Sequence, residues 1–167
     1  MRIALTAAAA LLILPLSLPV MALDVSVAAG TTDDSGQLLR LGVQQDFGQR
    51  WCAGRLGGYW DAGYTYWRED RGGSNHSLAL TPVFVWEFSQ GGLRPYVEAG
   101  IGVALFSDTR LDDQHLGSAF QFEDRLGLGL RFGRHDIGLR ATHYSNAGLS
   151  QPNDGAESWT LYYRTAL

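Results

Sequence analysis

The chain has 167 residues, a formal net charge of −4 and no lysine, so that all 13 of its cationic residues are arginines. The 17 acidic residues outnumber them, and this balance argues against a nucleic-acid partner. Cys52 is the single cysteine, which excludes an intramolecular disulfide and leaves Cys52 itself without an assigned role.

Residues 1–22 have the features of a secretory signal peptide. Arg2 gives a positive start, residues 3–20 are apolar, and Ala22 supplies a small residue at the cleavage position. The alternative is a signal anchor that stays as a membrane helix, but the prolines and small residues near its end favour removal. Beyond it no run approaches about 18 uncharged apolar residues, so a second membrane helix is not expected. Residues 23–167 then form a single domain.

The rest of the chain alternates apolar and polar residues with the period of two that β-strands require. In residues 120–132, for example, Phe and Leu share one parity, while Gln, Glu, Arg and Gly share the other. Asp124 is the one exception on the apolar side. Eight such segments follow one another, the first beginning near residue 24 and the others at about residues 39–47, 55–66, 77–88, 94–105, 120–132, 136–145 and 156–165.

Eight strands, many near the roughly 9–11 residues that cross a bilayer at a tilt, predict an antiparallel transmembrane β-barrel of the outer-membrane type. Connections are predicted to alternate between short periplasmic turns and long outer loops. The short turns fall near residues 48–50, 89–92 and 133–135, and the long loops at 31–37, 68–75, 107–118 and 146–155. Charges of both signs on the polar parity would have to pair inside so narrow a barrel.

Aromatic residues near strand ends are expected to form the interfacial girdles of a membrane barrel. They are Trp60, Tyr64, Tyr66, Trp67, Trp86, Phe88, Phe106, Tyr144 and Trp159. A water-soluble, lipocalin-like barrel is the alternative, and it would turn the arginine–glutamate face outward. That arrangement fits less well with so many aromatic residues at strand ends.

Three polar residues share the parity of the apolar, lipid-facing rows: His143 and Ser145 on the seventh predicted strand and Glu157 on the eighth. His143 and Ser145 are separated by about 6.6 Å along a strand, and the loop after residue 146 returns the chain beside them. A serine becomes a nucleophile when a base takes its proton and a third group orients the base. The non-catalytic alternative is a histidine and a serine at the membrane interface, with Glu157 as a charge at a strand end. The shared face of the three residues favours the catalytic interpretation.

The segments 143–146, 151–155 and 157–158 resemble the signature of the PagL family, outer-membrane lipid A 3-O-deacylases. Segments 59–67, 98–103 and 122–125 also resemble that family, so the similarity covers essentially all of the chain after residue 22. The resemblance implies an outer-membrane enzyme of a Gram-negative bacterium. Its substrate would be the lipid A of lipopolysaccharide, from which it releases a 3-hydroxy fatty acid without a metal or other cofactor.

By position, the resemblance implies that Ser145 is the nucleophile, His143 the general base and acid, and Glu157 its orienter. Asn146 and Asn153, with backbone amides near Gly148, are candidates for holding the oxyanion. The remaining histidines, each in a predicted loop or turn, form no ligand cluster at metal spacing. They are His76, His115 and His135.

Asp124 and Phe122 lie on the same predicted face as His143. Strand pairing across the turn at residues 133–135 puts Asp124 near His143 or Tyr144. Asp124 is then either a charge at head-group level or a residue that orients the site or contacts a glucosamine. Phe122 would help to form a groove for an acyl chain.

Three other functions remain open at this point. A structural or adhesive small barrel needs the alternation but no outward His–Ser–Glu trio. A palmitoyltransferase-type barrel needs an interior pocket for the acyl chain, whereas charged residues fill this interior. A lipocalin-like binding module would be soluble without detergent. The broad aromatic outer surface is also compatible with a homodimer, although nothing in the sequence specifies one.

Overall fold

The computed structural model describes residues 22–167, which contain ten strands. The predicted signal peptide, except for Ala22, lies outside the described residues, and its cleavage stays a prediction. The strands are β1 Leu23–Thr32, β2 Gln37–Asp46, β3 Leu56–Arg68, β4 Ser74–Glu87, β5 Leu93–Phe106, β6 Arg110–Leu111, β7 Gln114–His115, β8 Phe120–Phe132, β9 His135–Ser145 and β10 Ala156–Ala166.

Eight of these strands close into an antiparallel barrel in the order β1-β10-β9-β8-β5-β4-β3-β2. The pairing of β1 with β10 closes the ring, so no sheet edge is left open. The prediction of an eight-stranded antiparallel barrel is therefore confirmed. The small β6–β7 hairpin lies within the connection from β5 to β8 and was not predicted. In residues 22–167 there is no helix long and apolar enough to cross a membrane.

The connections follow the predicted alternation in part, since the links 88–92 and 133–134 are short, as expected. Residues 107–119 and 146–155 form long loops at one end of the barrel, which we call the outer end. The other links at that end, 33–36 and 69–73, are shorter than predicted because the flanking strands stay paired almost to their turns. The link 47–55, at the opposite end, is longer than the predicted turn and contains a bridge between Trp51 and Leu56.

The outward face of the barrel is apolar and the inward face is polar. Leu41, Ile101 and Leu126 are 61%, 70% and 66% exposed, whereas most of the residues that alternate with the outward ones on each strand point inward and are buried or half-buried. A water-soluble barrel needs the reverse arrangement, because only membrane lipid makes such a surface stable. The lipocalin-like alternative does not fit this orientation.

Ion pairs fill the interior of the barrel. The guanidinium of Arg125 lies 2.8 Å from Asp61 and 2.6 Å from Glu123, and all three side chains are buried. Arg140 contacts Glu98 at 2.8 Å. Because each buried charge has a partner of opposite sign, the desolvation cost of burying it is offset. These paired side chains therefore occupy the interior of the barrel.

Three of the residues predicted for the aromatic girdle lie inside the barrel instead. Trp67, Phe106 and Tyr144 are at most 4% exposed, and their ring centroids are 5.3 to 5.6 Å apart. Each has the inward parity of its strand, so nearness to a strand end was a misleading signal for them. Together with Leu116 from the long loop after β5, they form an apolar plug at the outer end.

Candidate active site

His143 and Glu157 face each other across the β9–β10 pair. The strand register places them directly opposite one another, on the outward face near the outer end. His143 Nδ1 lies 2.7 Å from Glu157 Oε1, and the two side chains are 42% and 46% exposed. A carboxylate bound to Nδ1 fixes the tautomer in which Nδ1 donates, and it leaves Nε2 as the nitrogen that can accept a proton.

Ser145 follows His143 by two residues and points to the same outward face. Its register partner on β8 is Phe122. In the described part of the chain no hydrogen bond joins the Ser145 hydroxyl to His143. Catalytic hydrogen bonds are often long before substrate binds, so this geometry is compatible with a nucleophile and base that close on the substrate.

Asp124 flanks His143 on the side away from Glu157. The register of β8 against β9 sets Asp124 directly opposite His143, and Asp124 is exposed. Of the two neighbouring carboxylates, only that of Glu157 makes a hydrogen bond to the imidazole. Asp124 therefore lies at the edge of the site, where its carboxylate is free of the imidazole and lines the groove beside His143.

An apolar groove of about 640 Å³ runs over the outer surface from the His143–Glu157 pair. Its floor is low because Ala141 of β9 and Ala99 of β5 are small, while Trp159, on one side of Ala141, supplies a wall. The remaining lining is mostly apolar and includes Phe84, Ile101 and Leu126. Such a groove can hold a hydrocarbon chain with one end at His143.

The loop after Ser145 begins with a tight turn that Asn146 anchors. The side-chain Nδ2 of Asn146 donates to the carbonyls of Leu116 at 2.8 Å and Ser150 at 2.9 Å, and Asn146 is buried. Its backbone N–H donates to Oδ1 of Asn153 at 2.9 Å. These contacts use all the donors of Asn146, so this residue braces the loop and is not free to hold an oxyanion.

Two other candidate donors remain in the loop that follows Ser145. Residues 146–149 form a turn in which the N–H of Leu149 binds the carbonyl of Asn146, with positive φ at Ala147 and Gly148. The backbone N–H of Gly148 has no acceptor within residues 22–167. Asn153 accepts through Oδ1, so its Nδ2 is left to donate. Of the three predicted oxyanion candidates, the geometry therefore leaves Gly148 and Asn153.

A second loop holds this one in place, which the sequence did not indicate. His115 and Asp154 exchange two hydrogen bonds, one from the backbone N–H of each residue. The Ser150 hydroxyl donates to the carbonyl of Gly117 at 2.9 Å, and Gly117 has φ of 71°. These contacts join positions far apart in sequence. The one local feature that could have pointed to them is the glycine at position 117, in the loop.

Gly155 leaves space for the imidazole. It has φ of 76°, and a Cβ at this position would lie 3.1 Å from Cε1 of His143. A side chain here would therefore strain the backbone and press on the imidazole that is hydrogen-bonded to Glu157. The motif segment 151–155 contains this glycine, but its contact with His143 depends on the folded loop.

These features define a class of protein, a small outer-membrane β-barrel that carries acid–base groups and an apolar groove on its outward face. Residues 37–166 match the family model described as lipid A 3-O-deacylase (PagL), and the chain belongs to that family. It is 55% identical, over 151 residues and 87% of each chain, to the lipid A deacylase PagL of Pseudomonas aeruginosa. It is also 42% identical, over 121 residues, to the PagL of Bordetella bronchiseptica, covering 70% of this chain and 65% of that one.

A solved structure agrees with the family assignment. The crystal structure of the outer membrane enzyme PagL superposes with a TM-score of 0.81 at 54% identity, covering 85% of this chain and 98% of that one. The chain is therefore an outer-membrane enzyme, a hydrolase of the PagL family.

Proposed function

We propose that this enzyme hydrolyses the ester of the 3-O-linked 3-hydroxyacyl chain of lipid A, and that it does so on the lipid-facing surface of the barrel. The observation that carries the proposal is the hydrogen bond between His143 and Glu157 at the end of an apolar groove, on the outward face. A site open to the membrane can take a substrate that stays in its leaflet. The acyl chain would lie over Ala141, with its ester carbonyl near Ser145.

In the first half-reaction Ser145 Oγ attacks the ester carbonyl while His143 Nε2 takes its proton. Glu157 stabilises the imidazolium that forms, since its carboxylate accepts the hydrogen bond from Nδ1. The carbonyl oxygen becomes an oxyanion, which the N–H of Gly148 and Nδ2 of Asn153 would bind. When the tetrahedral intermediate collapses, His143 returns the proton to the 3-oxygen of the glucosamine, which leaves as an alcohol.

In the second half-reaction water replaces the sugar. His143 takes a proton from the water, the hydroxide attacks the ester between the acyl chain and Ser145, and the serine leaves with the proton restored. The products are a 3-hydroxy fatty acid and lipid A with one fewer acyl chain. Asp124, opposite His143, would contact a glucosamine, and Phe122, opposite Ser145, would hold the first carbons of the chain.

Mass spectrometry of lipid A tests this proposal directly. Detergent-refolded protein lacking residues 1–22 should remove one 3-hydroxyacyl chain, and the freed acid should appear in the extract. Intact lipid A after incubation with a correctly folded barrel would instead favour a structural or adhesive role. Transfer of the chain to an added acceptor would favour an acyltransferase, but buried ion pairs occupy the interior in which such a barrel would hold the chain.

Glu157→Ala should lower the rate by roughly 10³- to 10⁴-fold, less than loss of the nucleophile, because it removes the group that orients His143 but not the base itself. Asp124→Ala is the matched control, since Asp124 flanks the same imidazole without a hydrogen bond to it. Its expected effect is smaller and is concentrated in KM. Equal losses in kcat for the two variants would contradict the assignment of Glu157 as the orienter.

Asn153→Ala should lower kcat by roughly 10²- to 10³-fold, the usual effect of losing one oxyanion donor. Asn153 also accepts a hydrogen bond from the backbone of Asn146, so the variant could act by loosening the loop. Asn153→Asp separates the two roles, because the carboxylate keeps the acceptor and removes the donor. An Asn153→Asp variant with wild-type kcat would show that Nδ2 does not bind the oxyanion.

A further inference from the structure

A second groove lies on the outer surface, across β1, β2 and β3, two to four strands away from β9. Its volume of about 730 Å³ is similar to that of the groove beside His143. The strand register aligns Ala29, Leu39 and Tyr66 in one outward row. These side chains provide a floor and a wall on which a hydrocarbon chain can lie.

The next outward row toward the outer end is polar. It consists of Thr31, Gln37 and Arg68, aligned by the same strand pairs. The change from an apolar row to a polar row within one step along each strand marks the boundary between acyl chains and head groups. The groove therefore begins among acyl chains and ends, at Arg68, among head groups.

Arg68 is a free cation at the head of this groove. Its side chain is exposed, and among residues 22–167 it takes part in no ion pair. Arg71, in the loop that follows, is by contrast bound to Asp113 at 2.7 Å. A guanidinium presents paired N–H donors that match the oxygens of a phosphate.

The ring of Tyr66, which forms one wall of this second groove, is held in place by its neighbours. Its ring centroid lies 5.4 Å from that of His76, and His76 Nδ1 is 2.7 Å from the Tyr64 hydroxyl. These neighbours restrict the ring on the side away from the groove. A wall that is already ordered costs little additional entropy when a ligand binds against it.

The nearby acidic residues lie beyond the groove. Glu69 and Asp70 follow Arg68 in the chain and line the adjoining depression toward the loop, whereas no acidic residue lines the groove over Ala29 and Leu39. A lipid whose acyl chain lies in the groove therefore brings its anionic head group to the guanidinium of Arg68 from the membrane side, away from Glu69 and Asp70.

We propose that this second groove binds a lipid A-type glycolipid that is not being hydrolysed, with an acyl chain over Ala29 and Leu39 and a phosphate at Arg68. The occupant must combine a negative charge at head-group level with a long chain, and it must reach the outer end of the barrel. A lipid A molecule has these properties and is the lipid on which the family acts. The proposal adds a non-catalytic lipid site to the hydrolytic one and does not depend on Ser145 chemistry.

Native mass spectrometry can count the bound lipids in detergent. The parent protein is the Ser145→Ala variant, so that lipid A is not consumed, and the probes are bisphosphorylated and dephosphorylated lipid A. Adding Arg68→Gln should raise the Kd of one of two bound bisphosphorylated molecules roughly tenfold or more. With dephosphorylated lipid A the same substitution should change nothing. Arg71→Gln, in the neighbouring loop, is the control and should leave both probes unaffected.

Three results would overturn the proposal: the same Kd values with and without Arg68→Gln, an equal effect on dephosphorylated lipid A, or tighter binding of phosphatidylglycerol than of lipid A at this position. Failure of the proposed hydrolysis is recognised separately. In the background with Ser145 intact, Arg68→Gln should release fatty acid at the parent rate in detergent, so absent release from both proteins would count against the proposed reaction alone.

Discussion

Replacing Ser145 by alanine is expected to lower the release of 3-hydroxy fatty acid by roughly 10⁶-fold, the loss seen when a serine hydrolase loses its nucleophile. The barrel itself should be unaffected, because Ser145 points outward and belongs neither to the interior ion pairs nor to the aromatic plug. Mass spectrometry of lipid A measures the activity. The shift in gel mobility between heated and unheated samples measures folding.

Ser74→Ala is a matched control, since Ser74 is an exposed serine at the outer end of β4, away from His143. It should retain full activity. In the proposed mechanism His143→Ala should match Ser145→Ala, because a base and the nucleophile that it activates act as one unit and their losses do not add. A Ser145→Ala protein that cleaves lipid A at the wild-type rate would show that another group attacks the ester.

The alternation of the sequence predicted which face carries the candidate site. A side chain's face in a strand depends on parity alone, so His143 and Ser145 had to share the face of their apolar neighbours. Glu157 shares it because Trp159 and Leu161 do. The sequence alone did not determine that Glu157 lies directly opposite His143, because the loop 146–155 permits several registers between the two strands. In the folded β9–β10 pair one of these registers is formed.

Local pattern could not predict the contacts between distant segments. Trp67 and Tyr144 have the inward parity of their strands, but their edge-to-face contact and their burial with Leu116 from another loop join segments far apart in sequence. The bonds between His115 and Asp154 likewise join two loops that are 39 positions apart. In both cases the sequence contains the residues, but burial and partners arise only when the ring closes.

Replacing Arg125 by leucine is expected to destabilise the barrel by about 3–5 kcal/mol. Arg125 lies 2.8 Å from Asp61 and 2.6 Å from Glu123, and its removal leaves these two carboxylates with Arg40 as their remaining ion-pair partner within residues 22–167. Urea unfolding of the refolded protein, followed by tryptophan fluorescence, measures the change. Arg134→Leu is the control, since Arg134 is an exposed turn residue with one exposed hydrogen bond, to the carbonyl of Ala166, and its loss should cost less than about 0.5 kcal/mol.

The loss in Arg125→Leu should arise from unbalanced charge and not from missing volume. Adding Asp61→Asn restores neutrality, because Arg40 still pairs with Glu123 at 3.4 Å, and the double variant should recover much of the stability. A double variant no more stable than Arg125→Leu would assign the loss to packing.

Glu123 also accepts the Tyr144 hydroxyl at 3.0 Å, and Tyr144 separates His143 from Ser145 along β9. Deacylation should therefore decline with the network, because the interior ion pairs and the proposed catalytic groups are connected through one strand.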